Sequence, residues 1–165
     1  MELRRNKIRN TQYAIRNTRY AFTLVELLIV VAILGILAAI VLPTLQGHIQ
    51  QAKESAAKDN LRILRNTIGL YAAQHNGVPP GYFNDDQLVV SPLQFLYQIV
   101  LKGKYLSKIP ENPINGNHII DLLGNKATFP AEADDESGWI YQPATKTIRV
   151  NSPGTDSKGV RYYDY

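Results

Sequence analysis

The hydrophobic and polar positions of this chain divide it into three stretches. Residues 22–43 hold a single charge, Glu26, in an otherwise apolar run. Over residues 44–76 apolar side chains recur every three to five positions, with charged side chains mostly on the opposite side, which predicts an amphipathic helix. From residue 77 onwards prolines, glycines and short alternating runs indicate a small globular unit, called the head below.

The pattern predicts where the elements begin and end. One long helix should run to about His75, because Asn76 and Gly77 favour the left-handed turn that stops helices. A short helix is expected over residues 92–101. Three strands are expected at Trp139–Gln142, Thr147–Val150 and Arg161–Tyr165, the first two forming a hairpin. The predicted fold class is α+β, with a long N-terminal α-helix packed against a small antiparallel β-sheet.

Glu26 is the most informative residue of the apolar run. At a rise of about 1.5 Å per residue, the run spans roughly 30 Å, the thickness of a hydrocarbon core. A carboxylate costs about 2.5–3.5 kcal/mol at the bilayer centre and less near its edge. No charge lies between Leu27 and Leu42. A partner for Glu26 must therefore lie elsewhere, and a chain terminus or another subunit are the candidates.

Charge is distributed unevenly along the chain. Residues 1–21 carry six basic side chains and one acid, which leaves 12 basic and 13 acidic residues in the remainder. The basic excess thus flanks the apolar run, so no nucleic-acid partner is expected. Basic flanks stay cytoplasmic, which places the head on the outer side of the inner membrane. The chain has no cysteine, which excludes disulfides, thiolate metal sites and cysteine nucleophiles.

The N-terminus does not fit a secretory signal peptide, because small residues are missing one and three positions before any cut near the end of the run. A plain single-pass anchor explains the length and the basic flank but leaves Glu26 unexplained. The segment AFTLVELL, residues 21–28, resembles the prepilin-type processing site of type IV pilins and pseudopilins. The resemblance implies that a prepilin peptidase cuts between Ala21 and Phe22 and methylates the new amine on Phe22.

Further features follow from the same resemblance. It implies that Glu26 pairs with the amine of a neighbouring subunit during filament assembly, and that Gly35 and Pro43 soften the helix. The family usually has glycine where this chain has Ala21. Four parts are expected: a leader, a transmembrane and filament-core helix, an amphipathic stalk helix and an α+β head, over residues 1–21, 22–43, 44–76 and 77–165.

The head resembles the C-terminal part of the major pseudopilin of type II secretion in residues 105–113 and 138–159. That resemblance implies a calcium site in the C-terminal loop, with Asp156 and Asp164 as candidate ligands; a solvated turn is the alternative. The acidic cluster of residues 134–136 is interpreted as an exposed loop. The three histidines are too far apart in the sequence for a metal signature, and no catalytic motif is present.

These features together predict a structural subunit of a type II secretion-like pseudopilus rather than an enzyme. Its implied partners are like subunits in a helical filament, the prepilin peptidase and an inner-membrane assembly platform. The protein is expected first as a single-pass inner-membrane protein with a cytoplasmic N-terminus, and then in a periplasmic filament. Two alternatives stay open: a type IV pilin for adhesion, motility or DNA uptake, and a membrane-anchored periplasmic binding domain that never polymerises.

Overall fold

A computed structural model describes residues 22–83, 87, 89–103 and 105–165, and of Pro43 and Thr44 it describes the backbone alone. The predicted leader, residues 1–21, lies outside this part of the chain. The chain divides into two units, one ending at Leu42 and the other beginning at Pro43.

A single long helix, α1, spans Leu24–Gln74. Its first turn is held by Thr23, whose Oγ1 accepts a hydrogen bond from the Glu26 backbone N at 3.1 Å. This bond satisfies one of the backbone donors that every helix leaves unpaired at its start.

α1 ends where the sequence predicts. The Gly77 backbone N donates to the Ala72 carbonyl at 2.8 Å, which closes the last turn. Asn76 and Gly77 adopt φ angles of 52° and 85°, in the left-handed region that side chains with a Cβ seldom occupy. The expected stop at Asn76 and Gly77 is thus confirmed.

The part of α1 that ends at Leu42 is apolar and fully exposed in the isolated chain. Its mean hydropathy reaches 3.1 over an 18-residue window. By length and composition, α1 is the one helix among the described residues that could cross a membrane. Water-soluble monomers rarely expose so large an apolar surface, which indicates that lipid or protein covers it.

The head contains a three-stranded sheet of mixed direction. Its strands are β1 (Ile120–Leu122), β2 (Trp139–Gln142) and β3 (Thr147–Val150), in the order β1-β2-β3. β2 and β3 form the predicted antiparallel hairpin, whereas β1 runs parallel to β2. The expectation of a purely antiparallel sheet was therefore wrong. β1 is only three residues long, too short to leave an alternating pattern in the sequence.

The predicted strand at Arg161–Tyr165 was also wrong. Residues Tyr162–Asp164 form a 3-10 helix, and Arg161 makes only an isolated bridge to Thr155. The side chains of Tyr162 and Tyr163 are both buried. Neighbouring residues of a strand point to opposite faces, so a strand on the sheet surface could not bury both against the same core, whereas a helical turn can.

The predicted short helix is present. It begins as an α-helix, α2 (Pro92–Leu96), and continues as a π-helical turn over Tyr97–Leu101. Ser91 caps its N-terminus with Oγ accepting from the Gln94 backbone N at 3.4 Å, and Pro92 occupies the first turn, where its missing N–H costs nothing.

One side of α1 and the sheet form the core of the head. Leu61, Leu64 and Ile68 of α1 pack with α2 and the sheet. Two other apolar residues of the predicted amphipathic stretch, Ile49 and Ile63, are instead exposed. Other large core side chains come from α2, the π-helical turn and the strands β2 and β3: Phe95, Ile99, Trp139, Tyr141, Ile148 and Val150.

Truncating the α1 side of this core should unfold the head more easily. Leu64 is fully buried, so we expect Leu64→Ala to lower the free energy of unfolding by about 2–5 kcal/mol through lost apolar contact and a residual cavity. The measurement is denaturant unfolding of the detergent-solubilised chain, followed by fluorescence of Trp139, the only tryptophan.

The neighbouring residue provides the control. Ile63 is exposed, so Ile63→Ala should change the free energy of unfolding by less than about 0.5 kcal/mol. Equal destabilisation by the two variants would contradict the orientation of α1 on the head.

Candidate functional site

Glu26 lies in the first turn of α1 with an exposed side chain. Thr23 and Glu26 have the T-x-x-E spacing of a capping box, a signal that explains how the helix starts. A negative charge in this turn also interacts favourably with the positive end of the helix dipole. Within the described residues, however, no ion pair is formed by its carboxylate. The local structure therefore accounts for the position of Glu26, but within the described residues no cation pairs with its charge.

The other predicted N-terminal residues are only partly visible. Phe22 is exposed and lies two positions before α1, while Ala21 is outside the described residues. A Cβ added at Gly35 would meet open space within the described chain, so packing inside this chain does not require a glycine there. Pro43 lacks the backbone N–H that would complete the ladder of α1. The softening role of Gly35 and Pro43 stays a prediction.

A column of polar side chains on α1 faces the head. These side chains hold the C-terminal segment, defined as residues 152–165. This column was not predicted from the sequence, although Gln50, Glu54 and Lys58 are spaced four residues apart, as neighbours on one helix face are. Its contacts are Gln50 Nε2 to Tyr162 OH (2.7 Å), Glu54 Oε2 to Ser157 Oγ (2.9 Å), Lys58 Nζ to Asp156 Oδ2 (3.0 Å) and Arg65 Nη2 to the Tyr165 carbonyl (2.6 Å).

Asp156 is the centre of this segment. Its side chain is 2% exposed and pairs with that of Lys58, which is 49% exposed. Oδ1 accepts from the backbone N of Lys158 and of Val160, both at 2.9 Å, and Oδ2 also accepts from Tyr165 OH at 2.8 Å. Burial acts to raise the pKa of Asp156, but the hydrogen bonds from Lys58, Val160, Tyr165 and Lys158 outweigh it and hold the pKa well below its ordinary value.

The two candidate calcium ligands have different partners in the chain. Asp164 is bound by Arg161, whose Nε and Nη2 donate to its two carboxylate oxygens at 2.7 and 2.9 Å. The hydrogen bond from Arg161 lowers the pKa of Asp164. Among the described residues no three His, Asp or Glu side chains are grouped to hold a metal. Calcium takes six to eight oxygen ligands, so the donors around Asp156 and Asp164 do not fit it.

The acidic cluster of residues 134–136 is exposed, as expected, but hydrogen bonds attach it to the rest of the head. The Asp134 carboxylate accepts from Asn151 Nδ2 at 2.6 Å, and that of Asp135 accepts from Asn115 Nδ2 at 2.8 Å. The backbone N–H of Glu136 and the Asn151 side chain lower the pKa of Asp134. The cluster is therefore a structural part of the loop before β2.

Removing the Asp156 carboxylate should weaken the dependence of the melting temperature on pH. Because its folded pKa is depressed, Asp156 contributes stability above the unfolded value of about 3.9, and this contribution is lost as the pH falls towards the folded pKa. We expect the melting temperature of the intact chain to fall between about pH 7 and pH 3, and to fall less in Asp156→Asn. Asp121 is exposed, so Asp121→Asn is the control. If the melting temperature of Asp156→Asn fell with pH as steeply as that of the unmodified chain, the stabilising role of the Asp156 carboxylate would be contradicted.

Comparison with known proteins places these features in a family. A family model described as "Prokaryotic N-terminal methylation motif" matches residues 16–42. That range includes the apolar start of α1 and Glu26. No solved structure matches the chain.

Similar proteins cover most of the chain. "Type II secretion system core protein G" of Vibrio cholerae is 30% identical over 120 residues, 71% of this chain and 82% of the relative. The protein of the same name in Escherichia coli is 28% identical over 71% of this chain and 83% of its own length. "Type IV major pilin protein PilE" of Neisseria gonorrhoeae is 30% identical over 83% of this chain and 86% of its own length. The chain therefore belongs to the family of type IV pilins and type II secretion pseudopilins.

Proposed function

We propose that this chain is a structural subunit of a type II secretion-like pseudopilus, polymerised to drive protein export. The observation that carries the proposal is Glu26, a carboxylate on an exposed apolar helix with no ion pair among the described residues. Relatives named as core protein G of type II secretion favour this member of the family.

Processing would supply the charge that Glu26 lacks. Cleavage between Ala21 and Phe22 creates a new amine on Phe22, and methylation of that amine keeps it basic. An amine from a neighbouring subunit, paired with Glu26, offsets the cost of placing either charge in an apolar environment. The charge pair thus favours one relative position of two neighbouring subunits along the filament axis.

Orientation and assembly follow from the same segment. The basic leader keeps the N-terminus cytoplasmic, so the head lies in the periplasm while the apolar part of α1 rests in the inner membrane. Assembly moves this part of α1 from lipid to the core of a helical filament, guided by an inner-membrane assembly platform. Head-to-tail contacts between identical subunits that do not close yield a filament. The chain performs no catalysis in this scheme.

Two other functions compete with this one. The match to a type IV major pilin favours a surface pilus for adhesion, motility or DNA uptake. A membrane-anchored binding domain that never polymerises would use the same anchor and head but would have no need of Glu26.

Processing can be tested directly. We expect mass spectrometry of protein from its native membrane to find a peptide beginning at N-methylated Phe22. An intact leader beginning at Met1, in cells that contain the peptidase, would instead favour the binding domain.

Assembly can be tested through the charge of Glu26. We expect Glu26→Ala to abolish filaments and export while the protein still accumulates and is processed, because the neighbouring amine loses its partner. Asp59→Ala removes an exposed acid from the same helix and should leave both intact. Normal filaments in Glu26→Ala would refute the pairing.

Filament length separates the two filament functions. Electron microscopy of cells at native expression should show no long surface fibre that contains this chain if it forms a pseudopilus. Long fibres labelled by an antibody against the head would establish the pilus.

A further inference from the structure

The C-terminal segment is closed by a positive charge that the chain itself supplies. We propose that the ammonium group of Lys58 serves as the cation of this segment, so that the head folds and holds residues 152–165 in place without a bound metal ion. The proposal rests on the contacts between α1 and the C-terminal segment, and it stands whether or not the chain forms filaments.

Lys58 is positioned as a cation between an anion and an aromatic ring. Its Nζ lies 3.0 Å from Asp156 Oδ2 and 4.1 Å from the centre of the Tyr165 ring. An ammonium is attracted both to a carboxylate and to the negative face of an aromatic ring. Tyr165 also donates its OH to Asp156, so the three side chains form a closed arrangement.

The hydrogen bonds to Asp156 leave little room for a metal. Both carboxylate oxygens are engaged, each by two donors, of which two are backbone N–H groups. A divalent cation bound here would have to displace these donors and would repel Lys58 at close range. Calcium also prefers several carboxylate and carbonyl oxygens together. Of the nearby acids, Asp164 is bound by Arg161, and Glu54 already accepts hydrogen bonds from Ser157.

The turn around Asp156 is closed by its own backbone. The Asp156 N donates to the Val160 carbonyl at 2.8 Å, and the Gly159 N donates to the Asp156 carbonyl at 2.9 Å. Together with the side-chain bonds, these contacts give the loop the closed form that a central ion would otherwise impose. The backbone N–H groups of residues 156–160 thus all have acceptors within the chain, and both oxygens of the Asp156 carboxylate have donors.

Glu54 complements Lys58 one turn earlier on α1. Its carboxylate is buried and accepts from the Ser157 backbone N at 3.2 Å and from Ser157 Oγ at 2.9 Å. α1 thus offers an acceptor to the donors of Ser157 and a cation to the acceptor Asp156. Glu54 binds Ser157 and Lys58 binds the neighbouring Asp156, so the order of these two charges on α1 fixes where the C-terminal segment lies along the helix.

The first measurement tests for the metal itself. The probe is terbium, a calcium substitute whose luminescence is excited by nearby tyrosines, titrated into the detergent-solubilised full chain. Tyr162 and Tyr165 belong to the segment, and Tyr165 contacts Asp156 directly, so an ion bound there would be detected. We expect no saturable luminescence that calcium can displace, and no change in melting temperature between excess EGTA and millimolar calcium. Saturable terbium binding displaced by calcium, or a calcium-dependent rise in melting temperature, would overturn the proposal.

The second measurement tests the ammonium with variants of the same chain. Lys58→Met keeps the length of the side chain but removes its charge. We expect it to lower the melting temperature by about 5–10 °C and to expose the C-terminal segment to proteolysis, because Asp156 loses its cation. Lys53→Met, an exposed position on the same helix, is the matched control and should change neither quantity. Equal behaviour of the two variants would overturn the proposal.

Discussion

Leu61, Leu64 and Ile68 of α1 pack in one core with α2 and the sheet, and the rest of the head is arranged around them. The strands are too short to form an independent core, since the longest has four residues. α1 supplies the apolar surface against which the sheet can be buried. Glu54 and Lys58 extend the same side of α1 with polar contacts, so one helix face organises both the core and the C-terminal segment.

Elements with local signals could be predicted from the sequence. The end of α1 follows from the backbone preferences of Asn76 and Gly77, and the β2-β3 hairpin from two alternating runs joined by a short turn. β1 could not be predicted, because a three-residue strand paired in parallel with a distant one depends on tertiary contacts. The 3-10 helix at Tyr162–Asp164 could not be predicted either, because its tyrosines favour a strand and only tertiary packing selects the helical turn.

The candidate site also has one residue that the sequence could reveal, Glu26, and one that it could not, Lys58. Glu26 stands out in the sequence because a lone charge in an apolar run has no local explanation other than its place in the first helical turn. The role of Lys58 was hidden, because a lysine on an amphipathic helix is usually exposed to solvent, and its distance from Asp156 depends on how the C-terminal segment returns to α1. The family resemblance implied a calcium site in this segment, but it carried no information on the lysine of α1 whose Nζ lies 3.0 Å from Asp156 Oδ2.

The two free edges of the sheet have a consequence for a protein of this family. Exposed strand edges can pair with strands of other molecules and lead to aggregation. Here the β1 edge is three residues long and carries the charged Asp121. On the β3 edge the Ile148 carbonyl is already taken by Arg65 Nη2, at 3.2 Å. Both edges are thus poor templates for strand addition, so neither favours amyloid-like growth between copies of the chain.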